Sequence, residues 1–134
     1  MNDTEKEKIF SALKKLLKPY EKDLEPHSGI INSRADMNKP AYHLYGKQEI
    51  SIIEGHKPQK TYFAGIIIQK HFIGLYFMPI YSHPKKFKIA NPSVKRFLKG
   101  KSCFNVTKVD KEISQEIQSL LQIGYQLYKN EGWI

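Results

Sequence analysis

Two apolar segments in the middle of the chain, 61–69 and 72–80, most constrain its fold. In the first segment, both alternating sets of side chains are apolar: Tyr62, Ala64, Ile66 and Ile68 on one side, Phe63, Gly65 and Ile67 on the other. A strand with two apolar faces normally lies in the middle of a covered sheet. Because only Lys70-His71 separates the segments, we predict a β-hairpin at the centre of the fold.

Three further strands are predicted around this hairpin. Segments 41–45 and 49–53 flank Gly46-Lys47-Gln48, a triplet typical of a hairpin connection, and segment 102–106 is predicted to be the last strand. Residues 20–39 are polar and punctuated by Pro26 and Gly29. We interpret them as a long connection with little regular structure.

Helices are predicted at both ends of the chain. Thr4 and Glu7 have capping-box spacing, and Pro19 is expected to end the first helix. Its apolar stripe has three- and four-residue spacing: Ile9, Phe10, Leu13, Leu16 and Leu17. Ser93 is expected to cap a short helix, and the final helix is predicted to begin at Asp110 and end at Gly132. Its predicted buried face comprises Ile113, Ile117, Leu120, Leu121, Leu127 and Tyr128.

The order helix, four strands, short helix, strand, helix predicts a single α+β domain over residues 1–134. We expect two layers: a mainly antiparallel sheet of about five strands, with the N- and C-terminal helices packed on one face. Aromatic side chains on the second face would then line a groove for a small ligand or a second subunit. Coverage of that face by residues 20–39 is the alternative.

Positive charge is concentrated in one part of the chain. The net charge is +9, and residues 56–108 contain eleven Lys or Arg but no Asp or Glu. Such a one-sided field attracts anions. The predicted ligand-binding residues combine these cations with an aromatic ring: Tyr81, Lys85, Lys86, Lys95, Arg96, Lys99 and Lys101. We expect an anionic small molecule or an acidic protein partner, with single-stranded nucleic acid as a further possibility. A solvated lysine-rich face is the alternative.

No spacing in the chain specifies a reaction. Gly100-Lys101-Ser102 resembles the end of a phosphate-binding loop, but position 95 is Lys instead of the required Gly, and the tripeptide is predicted to enter a strand instead of a helix. Cys103, the only cysteine, is either a nucleophile or, as we expect, a buried thiol. The five histidines lack the short spacing of metal ligands on one helix turn. We therefore predict no catalytic residues, no metal site and no cofactor.

The location of the protein is predicted from three further observations. A single cysteine cannot form an internal disulfide, and the first residues lack an apolar signal core. No apolar run approaches the ~18 residues of a membrane-spanning helix. We expect a reduced, cytoplasmic protein without a membrane partner.

Several blocks from position 62 onward carry a family resemblance: Tyr62-Phe63-Ala64-Gly65, Ile68-Gln69-Lys70, the run 75–81, Gly100-Lys101-Ser102-Cys103-Phe104-Asn105, Gly124-Tyr125-Gln126 and Gly132-Trp133-Ile134. In these blocks the chain resembles the YdhG-like family of small bacterial domains of unknown function. The resemblance implies a compact α+β domain.

Some members of that family are described as frataxin-like iron chaperones, which gives the alternative function of iron binding and delivery. A frataxin-type surface holds iron with acidic side chains. In this chain the candidate acids lie near the N-terminus, away from the basic centre: Glu5, Glu7, Glu21, Asp23 and Glu25.

Overall fold

The structure, a computed structural model, describes residues 1–28, 41–51, 54–87 and 92–134. Its helices are α1 (Asp3–Leu17), α2 (Met78–Ser82), α3 (Pro92–Lys95) and α4 (Lys111–Glu131), with 3-10 helices at Lys18–Lys22 and Pro84–Lys86. Its strands are β1 (Leu24–Ser28), β2 (Ala41–Ile50), β3 (Gln59–Ile68), β4 (Ile73–Phe77), β5 (Leu98–Lys99) and β6 (Cys103–Val106).

The described strands form one antiparallel sheet in the order β1-β2-β3-β4-β6-β5. The predicted α+β class with an N-terminal and a C-terminal helix is therefore confirmed, with six strands where about five were expected. The two longest helices, α1 and α4, share one hydrophobic core with the face of the sheet that carries Leu44, Ile66 and Leu75. We call this the helix-covered face.

The start of α1 differs from the prediction in its capping residue. Asn2 accepts a hydrogen bond from the Glu5 backbone N–H at 2.8 Å, and the Glu5 carboxylate accepts one from the Asn2 backbone N–H at 3.4 Å. The capping box therefore begins two residues before the predicted Thr4, which lies inside the helix. The predicted stripe is buried at Ile9, Leu13 and Leu17. The helix ends at Leu17, and Pro19 lies in the first turn of the 3-10 helix that follows.

The prediction of an irregular connection over residues 20–39 is wrong for its first part. A 3-10 helix extends to Lys22, and Leu24–Ser28 forms β1, which pairs with β2. Pro26 weakens the strand signal because it lacks a backbone N–H, which suits an edge strand. Residues 29–40 lie outside the described residues.

The prediction of a hairpin at Gly46-Lys47-Gln48 is also wrong. Residues Ala41–Ile50 form one strand, and this triplet is a bulge between Tyr45, which lies opposite Tyr62, and Glu49, which lies opposite Lys60. A methyl group at position 46 would lie 3.0 Å from the Trp133 carbonyl oxygen, so the bulge accommodates the folded-back C-terminal residues. A glycine between strand-like segments is compatible with a bulge as well as with a turn, since both need an irregular backbone.

The central hairpin of β3 and β4 is confirmed, but β3 contains a second bulge. Leu44 lies opposite Ala64 and Tyr45 lies opposite Tyr62, so Phe63 is an extra residue without a partner in β2. Because of this insertion, Phe63 and Ala64 both join the core. The predicted alternation placed Tyr62 on the same side as Ala64 and Phe63 on the opposite side, and it is wrong at both residues.

The segments after the hairpin also differ from the predictions in their bounds. β4 begins at Ile73 and ends at Phe77, so the predicted strand 72–80 is one residue too long at its start and three residues too long at its end. The helix α2 follows directly, with Pro79 in its first turn. The short helix α3 begins at Pro92, which puts the predicted cap, Ser93, inside the helix. Val94 and Phe97 are buried as expected, while Leu98 begins β5.

The predicted bounds of α4 are confirmed. Asp110 accepts a hydrogen bond from the Ile113 backbone N–H at 2.9 Å, and Gly132 ends the helix with a φ of 75°. The predicted face is buried at Ile113, Ile117, Leu120, Leu121 and Tyr128, with Leu127 partly buried against the core. Trp133 turns back and donates its backbone N–H to the Tyr128 carbonyl oxygen at 2.9 Å, as expected after a left-handed glycine.

Gly124 sets how closely α4 approaches β4 and α2. A methyl group at this position would lie 2.6 Å from Phe77 Cζ and 2.8 Å from Pro79 Cγ. Phe77 cannot easily move, because its buried ring packs edge-on against Phe63 and Phe87. At a solvent-exposed position inside a helix, alanine stabilises the helix by about 1 kcal/mol relative to glycine.

We predict that Gly124→Ala lowers the free energy of unfolding by roughly 1–2 kcal/mol, because the steric cost of overpacking exceeds the gain in helix propensity. Chemical denaturation measures this difference. Ser119→Ala, at an exposed position of the same helix, is the matched control and should be neutral or slightly stabilising. An unchanged or increased stability of Gly124→Ala would show that this contact does not set the position of α4.

Candidate anion-binding groove

An open groove lies where the chain leaves β4 and returns through β5 to β6. It has a volume of about 790 Å³, and its described lining consists of Ile80, Tyr81, Ser82, Pro84, Phe87, Lys95, Leu98 and Lys101. The first helix in this region, α2, and the 3-10 helix both have a proline in their first turn, at Pro79 and Pro84. Proline is favoured there because a first-turn N–H has no partner within the helix.

Two cations and one exposed aromatic ring define the polar part of the groove. Lys95 ends α3, and Lys101 follows Gly100, which has a φ of 67° in the turn between β5 and β6. The Lys101 ammonium lies 5.9 Å from the centre of the Tyr81 ring, which is within range for a cation–π contact. Tyr81 is 56 % exposed, so much of its side chain is open to solvent.

The structure separates the predicted ligand-binding residues into three groups. Tyr81, Lys95 and Lys101 line the groove together. Lys85 and Lys86 are exposed in the 3-10 helix at its border, between the lining residues Pro84 and Phe87.

The remaining two predicted residues lie outside the described lining. The Arg96 guanidinium carbon is 4.9 Å from the centre of the Phe97 ring. In the edge strand β5, Leu98 lies opposite Phe104 and Lys99 lies opposite Cys103. Because neighbouring strand residues point to opposite faces, Leu98 reaches the groove and Lys99 does not.

No carboxylate belongs to the described lining of the groove. Its two ammonium groups therefore lack an anionic partner within that lining. The apolar part of the lining is formed by Ile80, Phe87 and Leu98, which are not among the predicted ligand-binding residues. The available signal was an apolar residue interleaved with the cations, as Phe87 follows Lys86, but the same pattern is produced by ordinary core residues.

A chain of polar side chains borders the groove at the end of α2. Ser82 Oγ lies 2.8 Å from His83 Nδ1, and His83 Nε2 lies 3.3 Å from the Glu131 carboxylate. The Ser82 hydroxyl is also 3.4 Å from the carbonyl oxygens of Met78 and Pro79. The His83 imidazole therefore connects the wall of the groove to the end of α4. We interpret this series of contacts between side chains as structural.

The second face of the sheet lies opposite the helix-covered face. It carries the buried His43 and three half-buried tyrosines, Tyr45, Tyr62 and Tyr76. His43 Nδ1 lies 2.9 Å from the Tyr62 hydroxyl, while the buried Nε2 has no hydrogen-bond partner. Burial is the main cause that lowers the pKa of His43 and raises the pKa of Tyr62 well above its usual value. The expectation of a groove or a second subunit here stays a prediction, since the proposed covering segment includes residues outside the description.

Cys103 lies half-buried in β6 on this second face, with its thiol 3.5 Å from Asn105 Oδ1. Burial raises the pKa of the thiol, which lowers the fraction of reactive thiolate at neutral pH. The phosphate-loop resemblance also fails in the structure, because Gly100 lies in a turn between two strands and not at the start of a helix.

Three of the N-terminal acids considered for iron are engaged by other side chains. Glu21 accepts a hydrogen bond from the Tyr42 hydroxyl, and Asp23 accepts one from the Tyr125 hydroxyl. Glu25 forms ion pairs with Lys60 at 2.8 Å and with His27 at 2.9 Å. In the part of the chain that the structure describes, no three His, Cys, Asp or Glu side chains converge in a way that could hold a metal ion.

Within the same described ranges, none of the helices combines the length and apolar character needed to cross a lipid bilayer.

Comparison with known proteins gave no match to this chain among protein-family models, curated sequences or solved structures. The resemblance to the YdhG-like family therefore stays a prediction.

We predict that Cys103 in the native protein reacts slowly with a thiol reagent at pH 7 and much faster after unfolding, because burial both shields the sulfur and raises its pKa. The rate should rise with pH as the thiolate forms. Reaction with a chromogenic disulfide, followed by absorbance with and without denaturant, measures both rates. Rapid labelling of the native protein at neutral pH would instead indicate an activated thiol.

Proposed function

We propose that this protein is a cytoplasmic, non-catalytic binding domain that holds an anionic small molecule in the groove between α2, α3 and the β5–β6 turn. The observation that carries this proposal is the convergence of Lys95, Lys101 and the exposed Tyr81 ring on one groove whose described lining contains no carboxylate. Ammonium groups without a neighbouring anion attract a negatively charged ligand.

The dimensions of the groove favour a small molecule over single-stranded nucleic acid. A volume of about 790 Å³ falls within the range of roughly 300–1,000 Å³ found for small-molecule sites. A single strand of nucleic acid instead needs an extended basic track with successive stacking rings. Arg96 and Lys99, which would be needed to lengthen the track, lie outside the described lining.

Iron delivery stays a prediction that no specific contact in the structure favours. The acids that would bind the metal include Glu21, Asp23 and Glu25, and each of these is already hydrogen-bonded or ion-paired to another side chain. Binding of iron there would have to displace those partners.

We predict that the double substitution Lys95→Ala and Lys101→Ala weakens binding of pyrophosphate or citrate by roughly tenfold or more. Each hydrogen bond to a charged group contributes about 1.5–3 kcal/mol, and about 1.4 kcal/mol corresponds to tenfold in affinity. Isothermal titration calorimetry at low and high salt measures the change. Binding by the unaltered protein should weaken with salt, and the double variant should lose most of that dependence.

Lys8→Ala with Lys15→Ala is the matched control, since it removes the same charge from exposed positions on α1. The control should keep the affinity of the unaltered protein apart from a small effect of net charge. Equal weakening in both double variants would show that only overall charge matters and would refute the groove as the site. Anion binding that neither pair changes would refute it as well.

A further inference from the structure

We propose that the ligand of this groove is an organic phosphate whose anionic group is attached to a flat, apolar ring. This inference rests on the proposed function and adds the chemical class of the ligand. It follows from the division of the groove into an apolar part and a part with two ammonium groups.

The apolar part is a fixed surface. Ile80 and Phe87 are largely buried, and Leu98 is half-buried at the start of β5. The Phe87 ring packs edge-on against Phe77, with 5.5 Å between ring centres, so it is held by the core. A small inorganic anion would leave the exposed part of this apolar lining, mainly at Leu98, in contact with water, whereas a ring that covers it would strengthen binding by roughly tenfold.

Tyr81 gives the second reason for a flat ring. It is one of only a few large apolar side chains that are strongly exposed within the described residues, at 56 %. Aromatic rings pack in offset or edge-on arrangements, and Lys101 already lies 5.9 Å from the centre of this ring. A ligand with an aromatic ring joined to an anion can therefore contact Tyr81 and Lys101 at the same time.

The charge of the two cations suits a phosphate. The described lining contains two lysines and no arginine. Arginine binds carboxylate and phosphate alike through a planar pair of hydrogen bonds, whereas lysine acts as a point charge and is a common phosphate ligand. A phosphate monoester carries a charge of about −1.5 to −2 near pH 7, which two ammonium groups neutralise.

The shortage of polar side-chain groups favours an apolar ring over a nucleobase. Apart from the two ammonium groups, the polar side-chain groups of the described lining are the hydroxyls of Tyr81 and Ser82, and the Ser82 hydroxyl already contacts His83. A nucleobase has several donors and acceptors along its edge, and each one buried without a partner weakens binding. We therefore expect the groove to prefer an aryl phosphate to a nucleotide.

Four probes test this preference by calorimetry: 1-naphthyl phosphate, AMP, inorganic phosphate and the uncharged 1-naphthol. We expect 1-naphthyl phosphate to bind at least roughly tenfold more tightly than each of the others. Tyr81→Ser should weaken 1-naphthyl phosphate several-fold and leave inorganic phosphate unchanged. Ile123→Ser, which alters an exposed apolar residue of α4 outside the described lining, is the matched control and should change neither affinity.

The outcomes separate this inference from the proposed function. If AMP or inorganic phosphate binds as tightly as 1-naphthyl phosphate, and the Lys95/Lys101 variant weakens that binding, the aryl preference is refuted while the anion site stands. If 1-naphthol binds as tightly as its phosphate, the groove selects rings alone, and the inference fails. If none of the probes depends on Lys95 and Lys101, both proposals fail.

Discussion

The insertion of Phe63 into β3 is the constraint on which the rest of the structure depends. Because this extra residue turns inward, its fully buried ring contacts rings from three other elements: Tyr20, Phe77 and Tyr128. The Tyr128 hydroxyl also donates a hydrogen bond to the Tyr62 carbonyl oxygen at 2.8 Å, next to the bulge. The bulge therefore fixes α4 on the sheet. Phe77 in turn packs against Phe87, so a continuous series of ring contacts leads from the bulge to the groove.

The regular elements could be predicted because each one has a clear local signal. The stripe of α1 and the apolar hairpin of β3 and β4 follow from the spacing of apolar residues, and the ends of α4 follow from its capping residues. The bulges could not be predicted in this way, since an inserted residue changes which side chains face the core without changing composition. Leu24–Ser28 was missed because a strand at the edge, with Pro26 and alternate exposure, has the composition of a loop.

The candidate site was predictable as a charged region but not as a shape. Lys95 and Lys101 reach the groove, while Lys99 and Arg96, nearby in the chain, do not. All four residues carry one positive charge, so the sequence does not distinguish them. They differ in the direction in which each side chain points. The apolar lining was hidden for a related reason. Phe87 and Phe97 are both buried and both follow a cation, but only Phe87 lines the groove.

The two edge strands have a consequence for how copies of this protein behave at high concentration. An edge with free backbone groups can pair with another chain and start aggregation. In the described sheet, one edge is β5, which is only two residues long, and the other is β1, where Pro26 has no N–H to donate. Neither edge offers a long uninterrupted ladder. Growth of the sheet from copy to copy is thus disfavoured by the backbone itself, and the dense lysines add charge repulsion between approaching molecules.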